Sequence, residues 1–347
     1  MAYALLFPGV PPDATVERSH EMIDRILLPL DGSERAESAL PYALALHRAF
    51  GCRMILLRVV EANPDRPGLF SESMGWRLAE AEGRSYLEQV AHRLQELGVE
   101  PTVEVVSGNP SDEILEAIRH QEADLVILSS HGQGGGDAFP CGGTTSKVIA
   151  AGDSSVLIVR NGAPIPLDEV PLRRVVVPLD GSARGDWALN LAASLARANE
   201  ADLLLVHVVS RPEFLRGPGA PGEAERLAER LVETNRKAGL RYLDEKRRQL
   251  ASDGLPVRTR LAVAGSVPRA VQRLASRKGG SLLVLCAHGH SAGSGWSYGG
   301  VASTLLSHGS GPVLVFQDLP RGRSRRSDRS ARYARVTPPA ADGTRRE

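Results

Sequence analysis

Two carboxylates and two glycine-rich loops carry the chemistry this sequence offers. Asp31 ends the apolar run Arg25-Ile-Leu-Leu-Pro-Leu and is followed by Gly32-Ser33; Asp180 ends Arg174-Val-Val-Val-Pro-Leu and is followed by Gly181-Ser182. Gly132 opens a loop that reaches Gly142-Gly143, and Gly289 opens one that reaches Gly299-Gly300, with nine residues between the first and second glycine in each. Glycines let backbone N–H groups crowd around an anion, and a helix beginning near Gly142 or Gly299 adds its positive end. A carboxylate opposite such a cradle can accept a hydrogen bond from an adenine amino group or a ribose hydroxyl. This is the chemistry of holding a phosphorylated ligand.

Other readings of these residues are bounded by their spacing. There is no GxxxxGK[ST], so the loop is not a Walker-A phosphate loop. Gly132-Gln-Gly-Gly-Gly-Asp137 approaches GxGxxG, but Asp137 replaces the final glycine and the segment follows the fourth strand rather than the first, against a dinucleotide fingerprint. Asp31 and Asp180 also suit helix N-caps, a role that Ser33 and Ser182 fill equally well, and the glycines also suit a plain connector. His131 and His288 invite a catalytic reading because of their residue type, yet their place in a repeated turn favours a structural role. Cys141 and Cys286 lie near the loops as candidate redox-sensitive thiols, with inert buried thiols as the commoner state. Asp137 would repel phosphate unless Mg2+ bridges it, whereas the second loop has no acid and three serines. Which cradle is the better one stays open at this level.

The elements that position these groups are written twice. Arg25–Ser33 returns as Arg174–Ser182 at an offset of 149, and Ala123–Gly132 returns as Gly280–Gly289 at an offset of 157. The offset is still 149 at Arg58 and His207 and already 157 at Gly108 and Gly265, so the extra residues fall between the second and third strands, most simply in a helix near 223–250. In the first copy, strands are predicted at 25–30, 54–60, 103–106, 125–128 and 156–159, with helices at 34–50, 76–97, 112–120 and after the glycine loop. The second copy has strands near 175–179, 203–209, 257–264, 282–285 and 313–316. Strands alternating with helices imply parallel βαβ units and a doubly wound sheet, in which ligands bind at the carboxyl ends of strands where the strand order reverses. Asp31 and the Gly132 loop share one crevice if the first and fourth strands are neighbours.

Taken in order and in duplicate, these segments resemble the universal stress protein family. The match is carried by Pro-x-Asp-Gly-Ser after strand one, Leu-x-Val-Val in strand two, the turn after strand three, Leu-Val before His-Gly, and the apolar closing strand. The resemblance implies two tandem doubly wound five-stranded parallel-sheet domains of the adenine nucleotide α-hydrolase-like α/β class, at 22–161 and 172–317. A 1–21 extension, a 162–171 linker and a 318–347 tail complete the chain. It also implies ATP as ligand, with Mg2+ as a companion. The base-facing acids would be Asp31 and Asp180, the strand-two backbone contacts Val59 and Val208, and the phosphate cradles Gly132, Gly142, Gly143 and Thr144, and Gly289, Gly299 and Gly300. The family pattern G-x2-G-x9-G-[S/T] is kept in spacing but not in full: its first glycine is Ser129 or Cys286, and its final hydroxyl residue is Gly143 or Gly300. The expected role is a stress-response sensor or regulator with at most slow ATP hydrolysis. The alternative is an interaction module that kept the fold and lost the nucleotide. A hydrolase of the related layout is disfavoured by the lack of Ser-Gly-Gly-x-Asp-Ser or His-Ile-Gly-His. Family dimers imply that the closing strands meet edge to edge as an intramolecular pseudo-dimer, with a further homodimer as an option.

Bulk properties agree with this reading. A length of 347 residues suits two domains, and 42% hydrophobic with 24% charged residues is ordinary for a globular chain. No apolar run approaches the roughly 18–20 residues of a membrane span, and the three cysteines have no CxxC spacing, so a cytoplasmic protein with no disulfide framework or metal site is expected. The net charge of +1 hides a tail, 321–347, with nine Arg against three acids. That composition predicts disorder, with weak nucleic-acid contact as its functional reading.

Overall fold

A computed structural model describes residues 23–61, 74–132, 141–152, 154–160, 165–167, 169, 172–211, 221–251, 254–276, 280–289 and 297–317. The expectations for the N-terminal extension, the tail, most of the linker and the loop residues 133–140 and 290–296, including Asp137, lie outside these residues. The first half runs β1 (Arg25–Pro29), α1 (Glu34–Glu37), α2 (Leu40–Phe50), β2 (Arg53–Glu61), α3 (Met74–Gln95), β3 (Thr102–Gly108), α4 (Pro110–His120), β4 (Leu125–Ser129), α5 (Gly143–Ala151) and β5 (Ser155–Val159). The second runs β6 (Arg174–Pro178), α6 (Ala183–Ala198), β7 (Asp202–Ser210), α7 (Pro221–Ala251), β8 (Val257–Ala264), α8 (Val267–Ala275), β9 (Ser281–Cys286), α9 (Gly300–His308) and β10 (Val313–Phe316).

The ten strands form one sheet in the order β3-β2-β1-β4-β5-β10-β9-β6-β7-β8. Every pairing within a half is parallel. The halves join through β5 and β10, which pair antiparallel with Leu157 opposite Leu314. Central strands are buried on both faces, which explains their unbroken aliphatic runs. Alternate residues serve opposite sides: Ile26 and Leu28 belong to the core that includes residues of α2, α3, α6 and α7, while Leu27 belongs to the core that includes residues of α4, α5, α8 and α9. Both cores run through the two halves without interruption.

Two expectations meet the structure differently. The extra residues do sit in the long helix, 31 residues in α7 against 22 in α3. The helix expected over 34–50, however, is broken into α1 and α2. Pro41 lies in the first turn of α2 and cannot donate to the Glu37 carbonyl, and Ser38 Oγ donates back to Arg35 O (2.6 Å). The equivalent position in the second half is Asn190, and there α6 runs unbroken for 16 residues.

The join is more than a strand pair. Arg160, just past β5, donates from Nη2 to Leu305 O (3.0 Å) and Leu306 O at the end of α9. A cation there complements the negative end of the helix. Gln317 occupies the equivalent place past β10 and donates from Nε2 to Gly152 O and Ser297 O, both at 3.0 Å. Asn199, buried, donates to Ala45 O (3.0 Å) of the first half and to Leu195 O (2.9 Å). Arg160→Ala removes charge-assisted bonds to two carbonyls, of which Leu305 O keeps Gly309 N (2.9 Å) as donor, so it is expected to lower unfolding free energy by about 1.5–3 kcal/mol. Gln317→Ala should cost about 1 kcal/mol. Denaturant titration checks both, and an unchanged midpoint in Arg160→Ala would rule out this role for the bond.

Candidate functional site

β1 lies between β2 and β4, and β6 lies between β7 and β9. The chain leaves β1 for β2 on one side while β4 pairs on the other, so the strand order reverses between β1 and β4, and a crevice opens at their carboxyl ends. The second half repeats this between β6 and β9. The chain turns out of each crevice through Gly32 (φ +83°) or Gly181 (φ +85°), left-handed conformations that glycine adopts at low cost.

Each residue of Asp-Gly-Ser has a separate task. Asp31 Oδ1 accepts from Ser33 N (3.0 Å) and Ser33 Oγ (2.6 Å), and Ser33 Oγ accepts from Ala36 N (3.1 Å) as the N-cap of α1. In the second half Asp180 Oδ1 accepts from Ser182 N and Oγ at the same two distances, and Ser182 Oγ accepts from Gly185 N (3.2 Å). The serines are therefore the caps, and the aspartates hold the serines. Each remaining carboxylate oxygen, Oδ2, presses on the glycine loop of its own half: a Cβ added at Gly132 would collide with Asp31 Oδ2, and one at Gly289 with Asp180 Oδ2. The structure thus brings together the acid and the first glycine of each loop.

Strand two outruns strand one at this point. The β1–β2 register ends at Pro29 with Leu57, and Leu30 N makes the last bond, to Leu57 O (2.8 Å). Backbone groups of a strand alternate in direction with period two, so the N–H and C=O of Val59 point the same way as the Leu57 carbonyl, into the gap that β1 has left. Leu179 N bonds Val206 O (2.8 Å) and places Val208 identically.

The opposite wall is a helix start. Gly142 N donates to Ser130 O and Gly299 N to Ala287 O, both at 2.8 Å. No side chain caps either helix. The first helical N–H groups, of Gly143 and Thr144 in α5 and of Gly300 and Val301 in α9, have no acceptor within their own helix. Thr145 Oγ1 donates to Ser129 O (3.0 Å), which leaves Thr144 as the hydroxyl nearest the terminus; Val301 stands there in the second half. At the departures from the family glycine, Ser129 Oγ donates to His131 O (2.6 Å) and Cys286 Sγ to Arg184 O (2.7 Å). Both side chains turn onto backbone carbonyls.

Sequence reasoning missed the floor of the crevice. Arg58 Nη1 donates to Leu30 O (3.4 Å), and His207 Nδ1 lies 2.8 Å from Leu179 O, so a strand-two side chain supports the carbonyl just before each aspartate. Helix glycines press on these side chains: a Cβ at Gly83 would lie 3.1 Å from Arg58 Cγ, and one at Gly239 would lie 2.6 Å from His207 Cδ2. A glycine inside the helical pattern of each copy, 156 residues apart, was the available signal. Beside them Tyr86 Oη donates to Glu37 Oε1 (3.0 Å) and Arg93 Nη2 to Glu37 Oε2 (2.7 Å). In the second half Lys246 Nζ meets Asp186 Oδ1 at 2.8 Å, 5.7 Å from the Tyr242 ring centroid. Burial pushes the Tyr86 hydroxyl above its ordinary value, and Glu37 and Asp31 push the same way; burial, then Asp186 and Asp180, raise Tyr242. Neither phenol is a base at neutral pH. Cys52, remote from the crevice, is pushed up to about 12 by burial and is inert. His131 and His288 are buried, with Ser130 Oγ 3.1 Å from His131 Nδ1. Among the described residues no group of three His, Cys, Asp or Glu is placed to hold a metal ion, and no helix is long and apolar enough to cross a membrane.

The sequence pattern of the Universal stress protein family matches residues 22–160 and 171–317. The chain belongs to the universal stress protein family. A universal stress protein of Mycobacterium bovis is 25% identical over 323 residues, spanning 84% of this chain and 94% of that protein. One of Methanocaldococcus jannaschii is 25% identical over 150 residues, 43% of this chain and 88% of its own length. The crystal structure of a universal stress protein from Archaeoglobus fulgidus shares the fold, with a TM-score of 0.57 at 18% identity over 87% of this chain and 98% of that one. This universal stress protein therefore carries the family domain twice.

Proposed function

We propose that this tandem universal stress protein binds adenine nucleotide, with ATP as the ligand, in the β1/β4 and β6/β9 crevices and acts as a sensor or regulator. The observation that carries the reading is the convergence, in both halves, of an acid, a glycine against it, an exposed strand-two backbone edge and an uncapped helix start. The adenine would lie along Val59 or Val208, whose N–H and C=O can pair with its edge, with Asp31 or Asp180 accepting from an amino group or a ribose hydroxyl. The phosphates would lie toward Gly132, Gly142, Gly143 and Thr144, or Gly289, Gly299 and Gly300, where helix N–H groups and the helix dipole favour anions. Mg2+, if bound with the nucleotide, would neutralise phosphate charge. On this reading the two halves, at 22–161 and 172–317, act as a pseudo-dimer inside the cytoplasm.

The test is calorimetry on the full chain and on Asp31→Ala and Asp180→Ala. Each variant is expected to keep phosphate affinity while losing discrimination at one site, so that GTP competes there with ATP. If both variants bind ATP and GTP as the parent does, the aspartates do not read the base. The losses of hydroxyl at Gly143 and Gly300 favour one other reading, a module that no longer takes nucleotide, and no saturable ATP heat from the parent would select it.

A further inference from the structure

Residues 157 apart are equivalent beyond the third strand, so each half is a control for the other. On the side of α8 the control has the opposite sign. Residues 254–316 contain six Arg and Lys and no Asp or Glu, whereas the matching 97–159 contains nine Asp and Glu and two Arg and Lys. Arg269 and Arg273 stand where the first half has Asp112 and Glu116. The fold demands neither sign there, because both helices bury their other face: Ala270 and Val271 in α8, Ile114 and Ala117 in α4.

The basic residues are organised. Arg269, Gln272, Arg273 and Ser276 follow helical spacing and form one stripe, which lines a cleft of about 810 Å³ with the end of β8 and Ser310. β8 is the last strand of the sheet. Its Val257 and Leu261 pack toward α7, so the alternating Arg258 and Arg260 face the α8 side, where they line a separate cleft with Leu274 and with Leu240, Asp244 and Arg247 of α7. Arg258 is approached by Asp202 (3.8 Å). Arg260, Arg269 and Arg273 have no ion-pair partner among the described residues. Like charges one turn apart oppose helix formation, so stability does not account for the stripe.

We propose that this cleft is a second binding site, separate from the crevices, for a compact anion carrying two or more phosphates. Guanidinium forks match phosphate oxygens in pairs, and at the same wall Gln272 keeps a second amide N–H beyond the one it gives to His308 O (3.4 Å), while Ser276 Oγ donates to Gln272 O (2.8 Å). No lining residue is aromatic, so the cleft lacks the stacking platforms on which single-stranded nucleic acid is held. None of its lining residues belongs to either crevice.

Titration of the full chain with inorganic tripolyphosphate tests this, read by calorimetry and by the arginine Nε–H signals in 1H–15N spectra. Tripolyphosphate is expected to shift the signals of Arg269 and Arg273. Installing the first half's residue types, Arg269→Asp with Arg273→Glu, should weaken that binding by about tenfold or more, since two charge-assisted contacts are lost. The milder pair Arg269→Gln with Arg273→Gln should weaken it in the same direction, which covers the case of a charge reversal that misfolds. Unshifted arginine signals, equal binding by both double variants, or an oligouridylate that occupies the stripe where tripolyphosphate does not, would each overturn the proposal.

Discussion

Gly132→Val is expected to remove ATP binding from the first half, and Gly289→Val from the second, each cutting calorimetric stoichiometry by one site. The spacing pattern draws attention to Gly142 and Gly299, where an added Cβ would lie 3.5 and 3.3 Å from the carbonyls of Ser130 and Ala287. The tighter approach is at Gly132 and Gly289, against Asp31 and Asp180. The aspartate cannot simply rotate away, because its other oxygen holds the serine that caps the next helix. A branched side chain must therefore displace either the acid or the loop. Loss of one charge-assisted hydrogen bond costs about 1.5–3 kcal/mol, roughly ten- to a hundredfold in affinity, and movement of the cradle adds to it. The damage to stability should be smaller, about 1 kcal/mol if the serine cap is loosened. Two intact sites in the Gly132→Val/Gly289→Val double variant would show that the Asp–glycine contact is not part of the binding wall.

The second large effect is expected at the seam. Leu157 and Leu314 face each other across β5 and β10, and both are fully buried. Leu314→Asp places a carboxylate between the two halves with no cation opposite in the register, and an uncompensated buried charge costs several kcal/mol. The chain should lose its single cooperative transition, with the halves separating or the protein aggregating through the exposed β5 edge. Leu314→Ala, which only removes volume, should cost about 2–5 kcal/mol and keep the seam. Denaturant unfolding and small-angle scattering distinguish these outcomes. A Leu314→Asp protein with the parent's midpoint and dimensions would mean that the helix contacts, not the strands, hold the halves together.

Much of this was legible because the sequence repeats itself. A feature such as Pro-x-Asp-Gly-Ser placed twice at the same offset marks both an element boundary and a site residue, and the alternation of aliphatic runs with helical patterns fixed the class of sheet. The break between α1 and α2 was not read: Pro41 is visible, but the apolar periodicity on either side of it masks a one-turn helix. What could not be read is whatever depends on neighbours distant in sequence. That Arg58 and His207 hold the carbonyls before the aspartates follows from strand pairing, and that Gly83 and Gly239 are needed follows from how closely α3 and α7 approach. Arg160 and Gln317 bond to the opposite half, where no local pattern points. The opposite charge of α4 and α8 is plain in the sequence, but it has no direction until β8 and α8 are seen to share one side of the sheet.

The central claim is that the crevices select adenine nucleotide. Equilibrium dialysis of the full chain against an equal mixture of ATP, GTP, CTP and UTP, followed by heat denaturation and chromatography of the retained excess, tests it most directly. The account predicts an excess made up mainly of adenine nucleotide, at no more than two per chain and lost in the Gly132→Val/Gly289→Val double variant. An excess divided evenly among the four bases, or none at all, would contradict it.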